Sequence, residues 1–375
     1  MPDNAPRFAD LMILRRWPRR QNERLRAWDA ADHYLVNTLG EQAAGPATLV
    51  LNDQYGALWL SALALGPAWS AGDSWLAWRA VAANAEDNGL NLPRAHWLWP
   101  WQQPAAPVDQ VVMRVPKEIS LLEAQLAWLA SFLPAGTPVW LAGMDKHLPP
   151  QLVPLMKRYL GNGRAGLGWK KARRFQAQAP GQPLAEAPPP AAVMVPERGW
   201  SLISGPGVFG RRHLDIGARF LLDHLPGAVD GKVADLGCGN GVLGLALAAD
   251  NPAARITFCD ESALAIDSAR ANAAKLGGDP NRYQFHLGHG LDGLEPTFDL
   301  ILLNPPFHRG HAVDEQVART LFRHAAQGLT AEGELRVVAN RHLAYQRPLG
   351  KLFRRVETLA SNAKFVIHRC RQPRR

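Results

Sequence analysis

The chain has 375 residues, 42 Lys and Arg against 33 Asp and Glu, a formal net charge of +9 and 47% hydrophobic residues. These values fit a globular protein of two domains and exclude disordered and collagen-like chains. Three cysteines (Cys238, Cys259 and Cys370) are too few for a disulfide framework, so we expect a reducing compartment, the cytoplasm. No apolar run reaches the ~20 residues that span a bilayer, and the N-terminus has no secretory apolar segment, so we expect no membrane contact.

Short basic clusters recur along the chain and, with a sequence pI near 9.8, favour a polyanionic partner. The clusters are Arg15, Arg16, Arg19 and Arg20; Lys170, Lys171, Arg173 and Arg174; and Arg369, Arg371, Arg374 and Arg375. The alternative is that each cluster is only a solvated face or a frayed terminus.

A Pro- and Ala-rich segment interrupts the hydrophobic pattern at residues 176–199. Proline cannot continue a helix, and the segment has little periodic hydrophobicity, so we interpret it as a linker. Tryptophan usage changes at the same place, because twelve of the 13 tryptophans lie before residue 195. The sequence therefore predicts a domain at 1–175, a linker at 176–199 and a domain at 200–375.

The two halves share similar segments in the same order, which predicts a duplicated domain. Residues 108–117 match 298–307 as an Asp, an apolar run and a proline turn, and residues 48–58 parallel 233–243. The first copy has one glycine where the second has three, and Arg114 where the second has Asn304. We therefore expect the first copy to keep the fold and to have lost the chemistry.

Short apolar strands alternate with amphipathic helices in each half, which predicts a doubly wound α/β fold with a parallel sheet. In the second half we predict strand 232–236, helix 241–250, strand 255–259, helix 262–276, strand 283–287, strand 298–303, helix 314–329, strand 333–339 and a strand near 364–369.

The strongest local motif is the loop of alternating glycines Gly237, Gly239 and Gly241, between a strand and a helix. Glycines allow the chain to turn with positive φ, and a helix N-terminus offers free N–H groups to a ligand. The next strand ends at Asp260, where an acid can bind a ribose diol. Three interpretations remain: a dinucleotide site of a dehydrogenase, a structural turn, or a site for a nucleoside with an ammonium group. Asp235 favours the last, since an acid repels a diphosphate.

This loop resembles the S-adenosylmethionine loop of Rossmann-like methyltransferases, with a resemblance that covers roughly residues 200–370. The resemblance implies S-adenosylmethionine as the cofactor. It implies that the binding residues are Asp235, Gly237, Cys238, Gly239, Asn240, Gly241, Asp260 and, after the third strand, His289.

The chemical motif is Asn304-Pro305-Pro306-Phe307, after the fourth predicted strand of the second half. The Asn304 side-chain oxygen and the Pro305 carbonyl can accept two hydrogen bonds from one planar NH₂ group, and Phe307 can stack on a base. Two acceptors orient a weakly nucleophilic amine and stabilise the charge that grows on it. We expect no metal and find no clear general base. The motif resembles that of enzymes that methylate adenine N6, guanine N2 or a glutamine amide, and it does not separate the three.

The whole chain resembles the ribosomal RNA guanine-N2 methyltransferases that are built by duplication, and within them the large-subunit members. The resemblance is carried by Trp28–Asp32, Leu51–Ala57, Val115–Lys117, Trp169–Arg173, Leu214–Arg219, Asn304–His308 and Ala339–Leu343. It implies two tandem Rossmann-like methyltransferase domains, the first degenerate and RNA-binding, the second active on N2 of a guanine in 23S rRNA or a large-subunit precursor.

The alternatives are a 16S rRNA guanine-N2 methyltransferase, a glutamine-amide protein methyltransferase, and a noncatalytic RNA-binding assembly factor. Two fused copies already form a pseudo-dimer, so we expect a monomer.

Overall fold

The computed structural model describes residues 12–40, 45–295, 297–306 and 312–374. The chain divides into two compact units, Met1–Pro189 (unit 1) and Pro190–Arg375 (unit 2). None of the helices in these described ranges is long and apolar enough to cross a bilayer.

Unit 1 is a seven-stranded sheet with helices on both faces, in the strand order β3-β2-β1-β4-β5-β7-β6. Strands β1 to β5 pair in parallel, whereas β7 runs antiparallel to β5 and β6. Its elements are α1 (Ala30–Gly40), β1 (Thr48–Leu51), α2 (Trp59–Leu63), β2 (Ala68–Ala71), α3 (Trp75–Asp87), β3 (Trp97–Leu98), β4 (Gln110–Arg114), α4 (Ile119–Phe132), β5 (Pro138–Met144), α5 (Leu152–Leu160), β6 (Arg164–Trp169) and β7 (Ala172–Gln178).

Unit 2 repeats this sheet in the order β12-β11-β10-β13-β14-β16-β15 and adds a two-stranded hairpin, β8 and β9. Its elements are β8 (Ala191–Val195), β9 (Trp200–Ser204), α6 (Ile216–Leu222), β10 (Lys232–Leu236), α7 (Val242–Asp250), β11 (Arg255–Asp260), α8 (Ala263–Leu276), β12 (Tyr283–Leu287), β13 (Phe298–Leu303), α9 (Ala312–Gly328), β14 (Leu329–Asn340), α10 (Gln346–Leu352), β15 (Phe353–Ser361) and β16 (Phe365–Pro373).

The two seven-stranded sheets have the same strand order when the strands of each sheet are numbered from its first strand in sequence, β1 or β10. The predicted α/β fold of two tandem Rossmann-like domains is therefore confirmed. Even a local detail repeats: Asp109 Oδ2 accepts the Ala47 N–H at 2.8 Å, and Asp299 Oδ2 accepts the Lys232 N–H at 2.9 Å. In both units an acid at the start of the fourth strand of the sheet thus fixes the start of the first strand.

The sequence interpretation differs from the structure at several places. Strand β9 and helices α6 and α10 were not predicted. The segment 176–199 contains strand residues, since β7 extends to Gln178 and β8 covers Ala191–Val195. Strand β15 was not predicted, because most of its side chains are exposed and it carries no apolar run. A partly solvated strand at the edge of a sheet does not need the continuous hydrophobicity of a central strand.

Both faces of each sheet are covered, which explains why the central strands are continuous apolar runs. In unit 2, Ile256 and Phe258 of β11 pack in one cluster with Ile266 of α8. On the other face, Ile301 of β13 packs with Phe322 of α9. The carboxyl ends of the parallel strands are thereby held in fixed positions, and there the loops carry the polar residues.

At the end of β4 in unit 1, the side chain of Arg114 is held between two acids. Its Nη1 lies 2.7 Å from Asp29 Oδ1 and 2.5 Å from Asp32 Oδ1. Burial raises the pKa of Asp32 to about 6, against the opposing effect of Arg114. Burial also disfavours the ionised form of Asp29, but the hydrogen bond and charge of Arg114 outweigh it and lower the Asp29 pKa.

We predict that Arg114→Ala destabilises unit 1 by about 3 kcal/mol at pH 7, because removing one partner leaves the buried carboxylate of Asp32 unpaired. Loss of the guanidinium raises the pKa of both acids in the folded variant. Between pH 7 and pH 5 that variant therefore takes up protons that the unfolded chain, with carboxyl pKa values near 4, does not bind. The stability deficit should therefore shrink as the pH falls.

Urea unfolding followed by tryptophan fluorescence measures this effect, since twelve of the 13 tryptophans lie in unit 1. The control is Arg158→Ala, which breaks a pair with Glu123 at 4.0 Å whose arginine is 60% exposed. It should cost at most about 1 kcal/mol. Equal losses for the two variants would show that the Arg114 cluster contributes no more than a surface pair.

Candidate active site

The predicted site residues of unit 2 lie at or just after the carboxyl ends of four neighbouring strands of one sheet. In the pairing register, Leu236 at the end of β10 lies beside Leu303 at the end of β13, and Asp260 of β11 lies beside Leu287 of β12. The glycine loop and Asn304 therefore follow adjacent strands, with Asp260 and His289 further along the same edge. The strand order reverses between β10 and β13, and ligands bind at such switch points.

The loop after β10 turns through three glycines with positive φ, at 73° for Gly237, 54° for Gly239 and 84° for Gly241. A Cβ added to Gly237 or Gly239 would meet none of the described atoms within 4 Å, so the space in front of these residues is open. Gly241 is different, because a Cβ there would lie 3.0 Å from that of Ala269 on α8. The first two glycines therefore leave room for a ligand, and the third allows close packing of the loop on a helix.

Two acids flank this loop. Asp235 is 1% exposed and its Oδ2 accepts the Gly244 N–H at 2.9 Å. Burial raises the pKa of Asp235 to about 7, although the Gly244 hydrogen bond acts in the opposite direction. A cation beside Asp235 would favour its ionised form. Its predicted contact with an ammonium group stays a prediction.

Asp260 uses both carboxylate oxygens to hold the backbone. Oδ2 accepts the Gly239 N–H and Oδ1 accepts the Ser262 N–H, each at 3.0 Å. Burial raises the pKa of Asp260 against these hydrogen bonds. A third backbone hydrogen bond comes from Glu261, and a carboxylate has about four acceptor sites, so the predicted bond from a ribose hydroxyl remains chemically possible.

The two remaining side chains of the loop point into the protein. Asn240 is 7% exposed, and its Nδ2 donates to Ser204 Oγ at 3.1 Å. The Cys238 thiol is 6% exposed, and burial raises its pKa well above the usual value. In both, contact with a cofactor would have to come from the backbone, and their predicted roles stay predictions.

Asn304 is partly buried at the end of β13, and its amide shows a clear asymmetry. The Nδ2 group donates to Asp215 Oδ2 at 3.1 Å. The Oδ1 atom is buried and has no hydrogen-bond partner among the described residues. A buried acceptor left unpaired is costly, so this oxygen is suited to receive a donor from a ligand. Pro305 is buried and Pro306 partly buried beside it, whereas Phe307 lies outside the described residues.

His289 lies in the loop after β12, where it pairs with Asp292. Its Nδ1 is 3.1 Å from Asp292 Oδ2, and its ring meets that of His324 on α9 edge to face at 4.8 Å. These three side chains bring possible metal-ligand atoms within 4.8 Å of one another. His324 Nδ1 already accepts the Leu291 N–H at 3.1 Å, however. The adenine role of His289 and the absence of a metal both stay predictions.

Unit 1 fills the equivalent positions with its own side chains. Asn52, at the position of Gly237, donates through Nδ2 to the Arg114 carbonyl at 2.8 Å and to Gln125 Oε1 at 3.0 Å. Asp53, which is 3% exposed, accepts the N–H groups of Gly56, Leu58 and Trp59 at 2.8–3.0 Å. The degenerate copy therefore uses these side chains for hydrogen bonds within its own loop and neighbouring elements.

Sequence reasoning missed two sets of residues that shape the site. One is Asp215, at the N-terminus of α6. The other is the pair Ser268 and Asn272 on α8: Ser268 Oγ accepts the Gly205 N–H at 3.0 Å, and Asn272 Oδ1 accepts the Ile203 N–H at 2.7 Å. These bonds hold the end of β9 against α8, next to the glycine loop. Two polar residues four apart in an Ala-rich helix were the available signal.

Comparison with known proteins agrees with this geometry. A family model described as RLMG N-terminal domain matches residues 5–181, and one described as Methyltransferase small domain matches residues 199–369. The ribosomal RNA large subunit methyltransferase G of Alcanivorax borkumensis is 57% identical over 96% of this chain and 95% of its own. The protein of the same description from Pseudomonas paraeruginosa is 43% identical over 98% and 99%.

The chain belongs to the ribosomal RNA large subunit methyltransferase G family. The methyltransferase also resembles a solved T. thermophilus protein, described as a 16S rRNA N2 methyltransferase in complex with AdoMet and guanosine. The TM-score is 0.75, with 23% identity over 92% of each chain. At this identity the likeness concerns the fold, and it extends over both halves of the chain.

For this methyltransferase we predict that Gly244→Ala destabilises unit 2 by about 1–3 kcal/mol, the usual cost of overpacking. The added Cβ would lie 2.6 Å from Phe258 Cε1 and 2.9 Å from Ile256 Cγ2, both in the core. Gly350→Ala is the matched control, because a Cβ there meets nothing described within 4 Å. In helix α10 that change should leave stability unchanged or raise it by up to about 1 kcal/mol. Hydrogen exchange in unit 2 peptides measures both, and equal protection would contradict the predicted clash.

Proposed function

We propose that unit 2 transfers the methyl group of S-adenosylmethionine to the exocyclic N2 of a guanine in 23S rRNA. The observation that carries this proposal is the buried, unpaired Oδ1 of Asn304 beside the open glycine loop. Such an acceptor favours a substrate group with an N–H over a hydrophobic group, because only a hydrogen-bond donor removes the cost of the unpaired oxygen.

The residues present fit the cofactor. The free space at Gly237 and Gly239 would take its nucleoside and amino-acid portions, Asp260 would accept from the ribose, and Asp235 would face the ammonium group. When bound, S-adenosylmethionine supplies an activated methyl group on a sulfonium. No side chain then needs to act as a nucleophile, and the task of the protein is to position the acceptor amine.

Asn304 would orient that amine. With Oδ1 accepting one N–H and the Pro305 carbonyl the other, the amine nitrogen is held in place while positive charge grows on it. A guanine N2 inside a helix is unreachable for in-line attack, so a paired target must be flipped out. Phe307 would stack on the base.

The choice of 23S rRNA rests on the relatives described as acting on the large ribosomal subunit, at up to 57% identity. The 16S rRNA relative is only 23% identical and supports the fold alone. Because ribosomal RNA is the proposed substrate, we infer a cytoplasmic location. We further infer that the enzyme acts as a monomer, since its two copies already provide two modules.

The experiment is methyl transfer from labelled S-adenosylmethionine to separated, unmodified 16S and 23S rRNA, followed by nucleoside analysis. We expect N2-methylguanosine in 23S rRNA alone. The same nucleoside in 16S rRNA would move the enzyme to the small subunit. No label in either RNA would overturn the proposal for naked rRNA and redirect the test to assembled particles and protein substrates.

Within that assay we predict that Asn304→Ala lowers methyl transfer at least about a hundredfold, the scale of removing one group that stabilises charge in a transition state. Cofactor binding measured by calorimetry should stay within twofold of wild type. Asn281→Ala, at an exposed asparagine of the same unit, is the control and should retain full activity. Near-normal activity of Asn304→Ala would refute the role of this oxygen.

We propose that unit 1 binds the RNA, in part through a surface that we name the basic stack: Arg26, Trp28, His33, Trp169 and Lys170. Trp28 and His33 stack at 4.0 Å and the His33 and Trp169 rings lie 6.3 Å apart. Arg26 lies over Trp28 at 4.8 Å, and Lys170 lies over Trp169 at 4.7 Å. The aromatic rings thus hold two cations in fixed positions, which suits contacts with phosphates.

The turn beside the basic stack supports this role. Lys170 and Lys171 connect β6 to β7 with φ values of 47° and 63°. Tight hairpin turns of this kind prefer Asn and Gly, so lysine at both positions costs conformational energy. This turn nevertheless presents the exposed ammonium groups of Lys170 and Lys171 at the tip of a hairpin.

We predict that replacing Lys170 and Lys171 by Ala weakens rRNA binding. The slope of the log binding constant against log salt concentration, which is negative, should become less steep by about 1.5, as expected for two lost phosphate contacts. Filter binding at several salt concentrations measures the slope. The control replaces Lys157 and Arg158 on α5, which removes the same charge elsewhere on unit 1. An equal change of slope in both variants would argue against a specific contact at the turn.

A further inference from the structure

The carboxylate of Asp215 contacts two groups at once. Asp215 precedes α6 with φ −56° and ψ 136°, and its Oδ2 accepts the Ala218 N–H at 2.9 Å as an N-cap. The same oxygen accepts Nδ2 of Asn304 at 3.1 Å. A residue that caps a helix thus also touches the amide at the centre of the proposed active site.

This contact determines which end of the Asn304 amide faces the substrate. A carboxylate only accepts hydrogen bonds, whereas an amide donates at one end and accepts at the other. The nitrogen must therefore face Asp215, and Oδ1 must face the opposite direction, where it is buried without a partner among the described residues. The reverse orientation would place two acceptors against each other and offer donors to an amine that has only donors to give.

Unit 1 provides an internal comparison. Asp29 precedes α1 and accepts the Ala31 N–H at 2.8 Å, so it occupies the position of Asp215. The helix α1 packs on β5 and β7, as α6 packs on the corresponding β14 and β16. At the end of the fourth strand, however, Asp29 meets Arg114 instead of an asparagine.

The acid is thus kept in both copies, and its partner differs. Arg114 has donors only and directs them at Asp29 and Asp32, so it offers no acceptor to a ligand. In unit 2 the residue corresponding to Asp32 is Ala218, and the single acid binds only one end of Asn304. The free acceptor therefore arises from the combination of one carboxylate with one amide.

We propose that Asp215 is a positioning residue for methyl transfer, which holds the Asn304 amide so that Oδ1 accepts from the substrate amine. The inference rests on the proposed function. The negative charge of Asp215 also polarises the Asn304 amide and increases the acceptor strength of its Oδ1, as in other chains of hydrogen bonds at low dielectric.

The test compares Asp215→Asn with Asp215→Ser, since Asn and Ser are both good N-caps. Asn that caps the helix through its amide oxygen presents the same oxygen to Asn304 Nδ2, so it keeps the contact and removes only the negative charge. Ser keeps the cap but does not extend to the amide, which is then free to rotate. We expect kcat to fall about 10- to 100-fold for Asp215→Ser and less for Asp215→Asn. The affinity for S-adenosylmethionine should stay within twofold and the melting temperature near that of wild type.

A purely capping role predicts equal activity in both variants and in wild type, so the ranking separates the two explanations. The second measurement introduces Asp215→Ser into Asn304→Ala, with single-turnover kinetics to record the residual rate. If Asp215 acts through Asn304, the second change should produce no further loss.

Two results would overturn the inference while the wild-type enzyme methylates rRNA. One is activity of Asp215→Ser within twofold of wild type. The other is an equal loss from Asp215→Ser with and without Asn304. A wild-type enzyme that produces no N2-methylguanosine would instead overturn the proposed function, and this inference with it.

Discussion

The parallel pairing of β10 with β13 is the constraint on which the candidate site depends. The register places Leu236 beside Leu303, so the residues that follow, Gly237 and Asn304, lie at one edge of the sheet although they are far apart in sequence. Helices cover both faces of the sheet and hold these strand ends in place. The sheet therefore brings the open space at the glycine loop close to the Asn304 acceptor, and the loops need few contacts of their own to do so. For the same reason, the loops can differ between the two copies while the sheet stays the same.

The two units show how one scaffold supports two different uses. Unit 1 has the same strand order and the same hydrogen bond between an acid, Asp109, and the start of the first strand. The polar side chains of its loop, however, bind within the unit: Asn52 to Gln125, and Asp53 to the start of the following helix. These groups increase the stability of unit 1, and they occupy the positions where unit 2 has glycines. The first copy therefore has hydrogen-bonded side chains where the second has glycines, while the strand order of the sheet is the same.

The sequence was sufficient for features with a local cause. Strands β10, β12 and β13 have the bounds that the sequence predicts, and the glycine loop follows from alternating glycines between a strand and a helix. Features that depend on distant contacts were not predictable in this way. Asp215 has the sequence signal of an ordinary N-cap, and only the fold brings it to Asn304. Likewise, the inward orientation of Asn240 depends on Ser204, which a preceding hairpin supplies.

The distribution of unpaired polar groups separates scaffold from site more clearly than the motifs do. At the end of β4, Arg114 has its donors matched by two acids. At the end of β13, the amide of Asn304 has one end matched by Asp215 and the other left without a partner in the described chain. A buried acceptor of this kind lowers the stability of the free enzyme, and a bound amine removes that cost. Under the proposed function, a substrate N–H group that binds Oδ1 would recover this energy. Such an interaction would select an amine and hold it for methyl transfer.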